Sequence, residues 1–418
     1  MSAGVPWAGA GVDTDCRFER LVPHPRLPLV AGLDAHRPAV QLWDLASSLP
    51  QSLTTIGTDQ SNYDGDGWRR DQRTPDVSWH PEQPQLVVTD ERGLHTWSND
   101  GSSAVGRPPH DVAYRWIEFS PDGRTLWGFP SSGDAESAWD FADAIDLASG
   151  TVRQVLPWDT GIVVHPGGRL VATLLSDQGA TLVGFARVGG STASERLSLL
   201  RRGLILDADG YQKPLFSPGG TYLAIRGNAY ENTLDVFSFP ALEQVLTVTL
   251  GAANPGFPVP TGWLEQMRAW SQHNVAFAAV SGAVLVGTPR GTVVEIDLHT
   301  LDAVDHDLLA GTPVTALAVL AGGDLVVADA SGRLTTVPAS VVNGPVGEDA
   351  PRSPADVVSA FLDSTSDVDE DDAPWEHLDL SDGARTWISS DLHAVTNAAD
   401  TDTAWLRLQA AVNATRTT

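Results

Sequence analysis

An all-β fold built from seven repeated units is predicted for this 418-residue chain by three observations. A turn carrying Pro or Gly recurs along the chain, a short apolar run follows each turn, and a second β-rich run follows that. The steps from Pro81 to Pro121 and from Pro121 to Pro166 are 40 and 45 residues.

The turns read His24-Pro25, Trp79-His80-Pro81, Phe119-Ser120-Pro121-Asp122-Gly123, Val164-His165-Pro166-Gly167-Gly168 and Phe216-Ser217-Pro218-Gly219-Gly220. Degenerate copies follow at Val280-Ser281-Gly282 and Leu320-Ala321-Gly322-Gly323. Pro fixes φ and Gly supplies the positive φ of a tight turn between two strands. The runs after them, such as Leu86-Val87-Val88, Leu170-Val171-Ala172 and Tyr222-Leu223-Ala224-Ile225, are continuous and apolar, as strands buried on both faces should be. A third strand then alternates, as in Val40-Gln41-Leu42-Trp43-Asp44, Leu234-Asp235-Val236-Phe237 and Val294-Glu295-Ile296-Asp297. Short strands repeated at this period suit the blades of a radial propeller. The expectation is a seven-bladed β-propeller over residues 1–345 and a small, partly helical acidic extension with two short helices over 346–418.

From about Arg17 to Val337 these units resemble WD40 repeats, most clearly in the turn Ser120 to Gly123 and the strand ending Trp43-Asp44. No unit carries the family's Gly-His dipeptide, so its buried Asp-His-Ser-Trp network is not carried over. The resemblance implies an architecture that hosts many functions. It also implies a ring sealed by a terminal strand: Gly4 to Gly9 pairing with Leu334 to Val337, or Ser340 to Val342 supplying the strand instead. His24, His80 and His165 share the turn position of Ser120 and Ser217, which gives them a turn role in separate blades rather than a common metal site.

Three inserts, Gly57 to Pro75, Gly189 to Gln212 and Gly251 to Asn274, lengthen the period after the third strand. Added length on the loops of a rigid scaffold points to a binding surface. The first holds Tyr63, Trp68, Arg69 and Arg70, and the third holds Phe257, Trp263 and Trp270, residue types enriched in interface hot spots. Packing of the same aromatics onto the propeller is the competing reading. Asn62, Asp64, Asp66 and Asp71 are the candidate calcium ligands, since alternate oxygens with intervening Gly start an Asp-rich loop; Arg73 stands where an EF-hand needs its bidentate Glu, and a solvated turn is the competing reading. Arg201-Arg202 lies between apolar runs and reads as an exposed edge feature, a contact with an acidic partner being the alternative.

Beyond Pro345, Ser353-Pro354-Ala355-Asp356 is a helix start, with Val357, Val358, Phe361 and Leu362 as its apolar face. A second helix is expected near Thr403 to Asn413, with Trp405, Leu408 and Val412 on one side. From Glu348 onward fifteen acidic residues face four arginines, out of a chain total of −27. This extension either folds back on the propeller or docks on a partner.

The negative charge repels a phosphate backbone, so nucleic acid is excluded as the expected partner. Lys213 is the only lysine, and the Ala, Gly, Val and Asp richness points to a GC-rich bacterial coding sequence. Cys16 is the only cysteine, which excludes an intrachain disulfide and a thiolate cluster. No basic start with an apolar run and no long apolar span is present, so a cytoplasmic protein without membrane contact is expected. No nucleophile elbow, zinc-protease motif, phosphate loop or dinucleotide fingerprint occurs. The function expected is therefore a protein-interaction scaffold or sensor subunit of a larger assembly, without cofactor, its partners being one or more proteins; a basic surface would suit the acidic run, which otherwise is simply solvated. The alternative is a propeller hydrolase or lyase with a metal-dependent site, calcium being the candidate ion, in the central channel.

Overall fold

The computed structural model describes residues 10–47, 49–57, 75–90, 93–104, 114–131, 141–156, 158, 161–177, 180–189, 196–210, 212–228, 231–279, 282–342, 353–369, 377–399 and 401–416. Its strands form seven sheets, and the fold is a seven-bladed β-propeller with a small helical C-terminal segment. Contacts divide the chain into two compact units, 1–157 with 255–350 and 158–254 with 351–418.

The first unit holds five blades. Blade one is Phe18–Pro23, Leu29–Asp34, Ala39–Asp44 and Gln51–Gly57; blade two runs from Asp76–Trp79 to Gly101–Ala104, and blade three from Trp116–Phe119 to Val152–Val155. Blade six is Val275–Phe277, Ala283–Gly287, Thr292–Asp297 and Ala303–Asp307. Blade seven takes Val314–Val319, Leu325–Asp329 and Arg333–Val337 from the end of the repeat and Ala10–Asp13 from its beginning. The N-terminal strand therefore closes the ring, with Ala10 opposite Thr336 and Asp13 opposite Arg333. Gly4 to Gly9 lies outside the described residues, and Ser340 to Val342 belongs to a short helix, α1 (Ala339–Val342 in full), rather than to a closing strand.

Second strands are buried on both faces, as their continuous apolar sequences require: every residue of Leu29–Asp34 is buried. Blades seven and one share a core in which Phe18, Val30 and Trp43 meet Ala316, Val326 and Leu334. Gly32 is needed there, because a Cβ at that position would lie 2.6 Å from the Phe18 ring.

The second unit contains blade four (Ile162–Val164, Leu170–Asp177, Ala180–Gly189, Arg196–Leu206), blade five (Leu215–Phe216, Tyr222–Gly227, Thr233–Ser238, Gln244–Thr249) and the C-terminal extension. The stretch read as a second insert supplies an outer strand, Arg196–Leu206, paired along Ala180–Gly189. Nor is Arg201-Arg202 on an open edge: Asp379–Ser381 adds alongside as a parallel strand, Arg202 facing Asp379, and Thr386–Trp387 extends the sheet to six strands. The Arg201 N–H also donates to the Ser366 carbonyl, and Arg187 pairs with Asp367 at 3.0 Å. Backbone groups that an unpaired edge would leave to solvent are thus satisfied by the chain's own tail.

The helices of the extension are α3 (Pro354–Asp363), α4 (Ser389–Ala394) and α5 (Ala404–Arg416); α2 is Thr261–Arg268, in the third insert. The start of α3 is as its sequence predicts, with Pro354 at the first turn and the Ser353 hydroxyl accepting from the Asp356 N–H at 3.2 Å. Its apolar face, Val357, Val358, Phe361 and Leu362, joins one core with Phe185 of blade four and Phe239 beside blade five. In α5 the buried stripe is Leu406, Ala410 and Asn413; the face read as apolar leaves Leu408 at 62% exposure. Two hydrogen bonds from the Asn413 amide to the Leu392 and Val395 carbonyls fix this orientation. Among the described residues no helix is long and apolar enough to cross a membrane.

Candidate interaction surface

The third insert is the one stretch with candidate contact residues that the structure describes. Pro260 caps α2 in extended conformation (φ −65°, ψ 139°), a geometry its ring favours, and a single residue of the helix, Met267, is buried. The helix thus touches the rest of its unit along a narrow line and leaves its other faces open. Trp263 on α2 and Trp270 just after it are half-buried. Phe257, before the helix, is 97% exposed.

The exit of the insert is fixed firmly. Ser271 Oγ donates to the Thr315 carbonyl, and the Leu317 N–H donates to the His273 carbonyl at 3.1 Å, so the chain runs beside the first strand of blade seven. Fully buried Asn274 donates from its side chain to the Gly287 carbonyl at 2.7 Å. These bonds seat the segment on the blades and position the aromatics that precede it.

Charge distinguishes the same segment. Between Glu243 and Glu265 no residue is ionisable, although the chain holds 53 acidic residues. Tyr63, Trp68, Arg69 and Arg70, and the calcium candidates Asn62, Asp64, Asp66 and Asp71, lie outside the described residues.

Polar groups on first strands stitch neighbouring blades. Arg20 pairs with buried Asp76 at 2.7 Å, and the second Asp76 oxygen accepts the Ile117 N–H at 2.8 Å. Ser78 Oγ accepts from the Phe119 N–H at 3.0 Å and donates to Glu118 at 3.3 Å. Each bond satisfies a group on the adjacent blade. Among the described residues no group of three or more His, Cys, Asp or Glu is placed to hold a metal ion.

The three turn histidines share one chemistry. Nδ1 of His24 accepts from the Arg26 and Leu27 N–H groups, Nδ1 of His80 from Glu82 and Gln83, and Nδ1 of His165 from Gly167. A ring whose Nδ1 accepts must carry its proton on Nε2. That proton goes to the Gln83 carbonyl from His24 at 2.8 Å and to the Gly220 carbonyl from His165 at 2.9 Å. Each of these two rings therefore latches its own turn to the turn of the following blade. Burial lowers the pKa of all three, which keeps them neutral.

Cys16 is buried, and its sulfur accepts from Gln41 at 2.8 Å and Arg37 at 3.0 Å. Burial, with Asp34 beside it, pushes the thiol up to about 11. At pH 8 only about 0.1% would be thiolate. Native protein should accordingly resist iodoacetamide, and intact mass should show alkylation only after denaturant is added; rapid labelling of the folded chain would contradict this environment.

Compared with protein-family models and with curated proteins, the chain matches none.

Neither the exposure of Phe257 nor the blade-to-blade partners of the histidines was read from the sequence. The signal for Phe257 was present in the uncharged run around it; that for the histidine partners was not, because their acceptors are main-chain carbonyls.

Proposed function

We propose that this propeller is a protein-interaction scaffold, a subunit of a larger cytoplasmic assembly, and that the third insert is part of its contact surface. The observation that carries the reading is the insert itself: an aromatic-bearing segment, uncharged from Gly251 to Leu264 and seated on the blades, with Phe257 in solvent and Trp263 and Trp270 half-exposed. Interface cores are depleted of charge and enriched in aromatic residues. Rigid presentation also reduces the ordering cost of binding. Tyr63, Trp68, Arg69 and Arg70 of the first insert are proposed to contribute to the same function.

The test is affinity capture of the tagged full-length chain from its native cells, followed by reconstitution of the captured species with purified components. A stoichiometric complex with a protein is expected, weakened by charge reversal at Arg69 and Arg70 without loss of folding. Repeated capture that yields no partner, or turnover of a small substrate by the isolated chain, would overturn the scaffold reading.

A further inference from the structure

We propose that Phe257 is an anchor side chain, presented as a finger, that enters an apolar, uncharged pocket on a partner protein. The proposal rests on the scaffold reading and adds to it the residue that binds and the chemistry of the pocket that receives it.

Four observations converge on this segment. Exposure comes first: Phe257 shows 97% of its surface, the highest value among the large apolar residues described. A Phe left in water forgoes the roughly 2 to 3 kcal/mol that burying its ring would contribute. Second, its neighbours offer it no cover, since residues 251–258 are all exposed. Third, Pro255, Pro258 and Pro260 flank it, and proline restricts the backbone, so less freedom is lost when the segment is gripped. Finally, the stretch from Gln244 to Leu264 has no charged side chain of its own, and the carboxylate that it holds, that of Glu231 accepting from the Asn254 N–H at 2.7 Å, is held three residues before Phe257 in sequence, so gripping the ring brings no ion of the segment out of water.

Those features also choose among occupants. A second copy would bring another chain of net charge −27 against this one, and like charges oppose such an approach. A bilayer surface rich in anionic lipid is disfavoured for the same reason. A basic groove gains nothing from an uncharged finger. What the finger complements is a concave site lined by aliphatic or aromatic side chains, a hot spot of the kind that a single aromatic anchor fills.

The experiment places the photocrosslinking residue p-benzoylphenylalanine at position 257 of the full-length chain in its native cells, and at Leu301, which is 52% exposed on blade six, as a control. A single adduct with another protein is expected from position 257 and not from 301, with the crosslinked peptide mapping to an apolar cavity of that protein. Using that adduct partner as the probe, Phe257→Ser should weaken affinity by at least about 30-fold, the loss typical of a hot spot. Phe257→Trp should stay within a few fold of the natural chain. Both substitutions sit in solvent, so circular dichroism should be unchanged. Four results would overturn the proposal: no adduct at 257, equal affinity of Phe257→Ser, an adduct with a second copy, or Phe257-dependent sedimentation with phosphatidylcholine vesicles. A partner still captured by Phe257→Ser would leave the scaffold reading standing while removing the finger from it.

Discussion

Phe361→Ala should destabilise the second unit by about 3 to 5 kcal/mol, the range for truncating a fully enclosed aromatic. Phe361 has no exposed surface, and its ring lies 5.0 Å from that of Phe185 and 4.7 Å from that of Phe239. One side chain therefore joins the third strand of blade four, the end of the third strand of blade five and α3. Alanine removes the transfer energy of the ring and leaves a cavity. Collapse is hindered because the walls are rigid strands and because the Pro354 carbonyl at the start of α3 lies so near Gly167 that a Cβ there would come within 2.3 Å. Hydrogen exchange along a urea series, followed peptide by peptide, is the suitable measurement. The expected result is a lower midpoint for blades four and five, with the Asp379–Ser381 amides deprotected in step, since that strand adds to blade four. Phe361→Leu, which keeps most of the volume, should cost less than half as much. A loss below about 1 kcal/mol for the alanine variant would mean that α3 is not part of this core.

The extent to which the fold was legible follows from how local its signals are. Turns announced themselves because Pro and Gly act on their own backbone: Gly123, Gly168 and Gly220 all have positive φ near 70°. The start of α3 was legible for a similar reason, since a Ser cap, a Pro at the first turn and apolar residues at i, i+4 spacing are contained in ten residues. Asp379–Ser381 offered no such signal. Its three residues have no pattern of their own, and the partner strand that makes them β-structure lies in a different part of the sequence. The same holds for α5, where two candidate stripes competed. Trp405, Leu408 and Val412 are the more apolar, but the side-chain bonds of Asn413 to carbonyls near α4 decided for the other. At the candidate surface, residue types gave Trp263 and Trp270, whereas their half-burial and the full exposure of Phe257 depend on the line along which α2 rests.

Acid should weaken the His165 latch between about pH 6.5 and pH 4, His165 having the largest downward shift among the described histidines. Burial holds this imidazole down to about 4, the Gly220 carbonyl bond working weakly in the opposite direction, against an ordinary value of 6.5. Above pH 6.5 the ring is neutral in both folded and unfolded chains, and the full stability is present. Between the two values the unfolded chain takes up a proton that the folded latch refuses, so stability falls with pH and the loss is complete near pH 4. At 1.36 kcal/mol per pKa unit, a 2.5-unit difference amounts to about 3 kcal/mol. The cause is geometric: a proton on Nδ1 would face the Gly167 N–H that it now accepts, and the charge would sit against Phe216 and Phe239, whose ring centres are 4.7 and 5.3 Å away. His24 and His80 act with the same sign, since burial lowers both. Asp235 acts against them. Burial raises its carboxyl to about 6, so the folded chain takes that proton before the unfolded one does, and between about pH 6 and 3.8 this restores nearly as much as His165 loses, leaving the net acid loss to His24 and His80. The variants separate the two contributions: His165→Asn should shift the slope so that the urea midpoint holds or rises as pH falls from about 6 to 4, while Asp235→Asn should make it fall steeply. Gly220→Ala should mimic the loss of the latch at pH 7, because Gly220 has φ +69° and a Cβ there would lie 2.3 Å from the His165 ring. If His165→Asn left the pH slope unchanged, the acid sensitivity would have to reside in groups other than this latch.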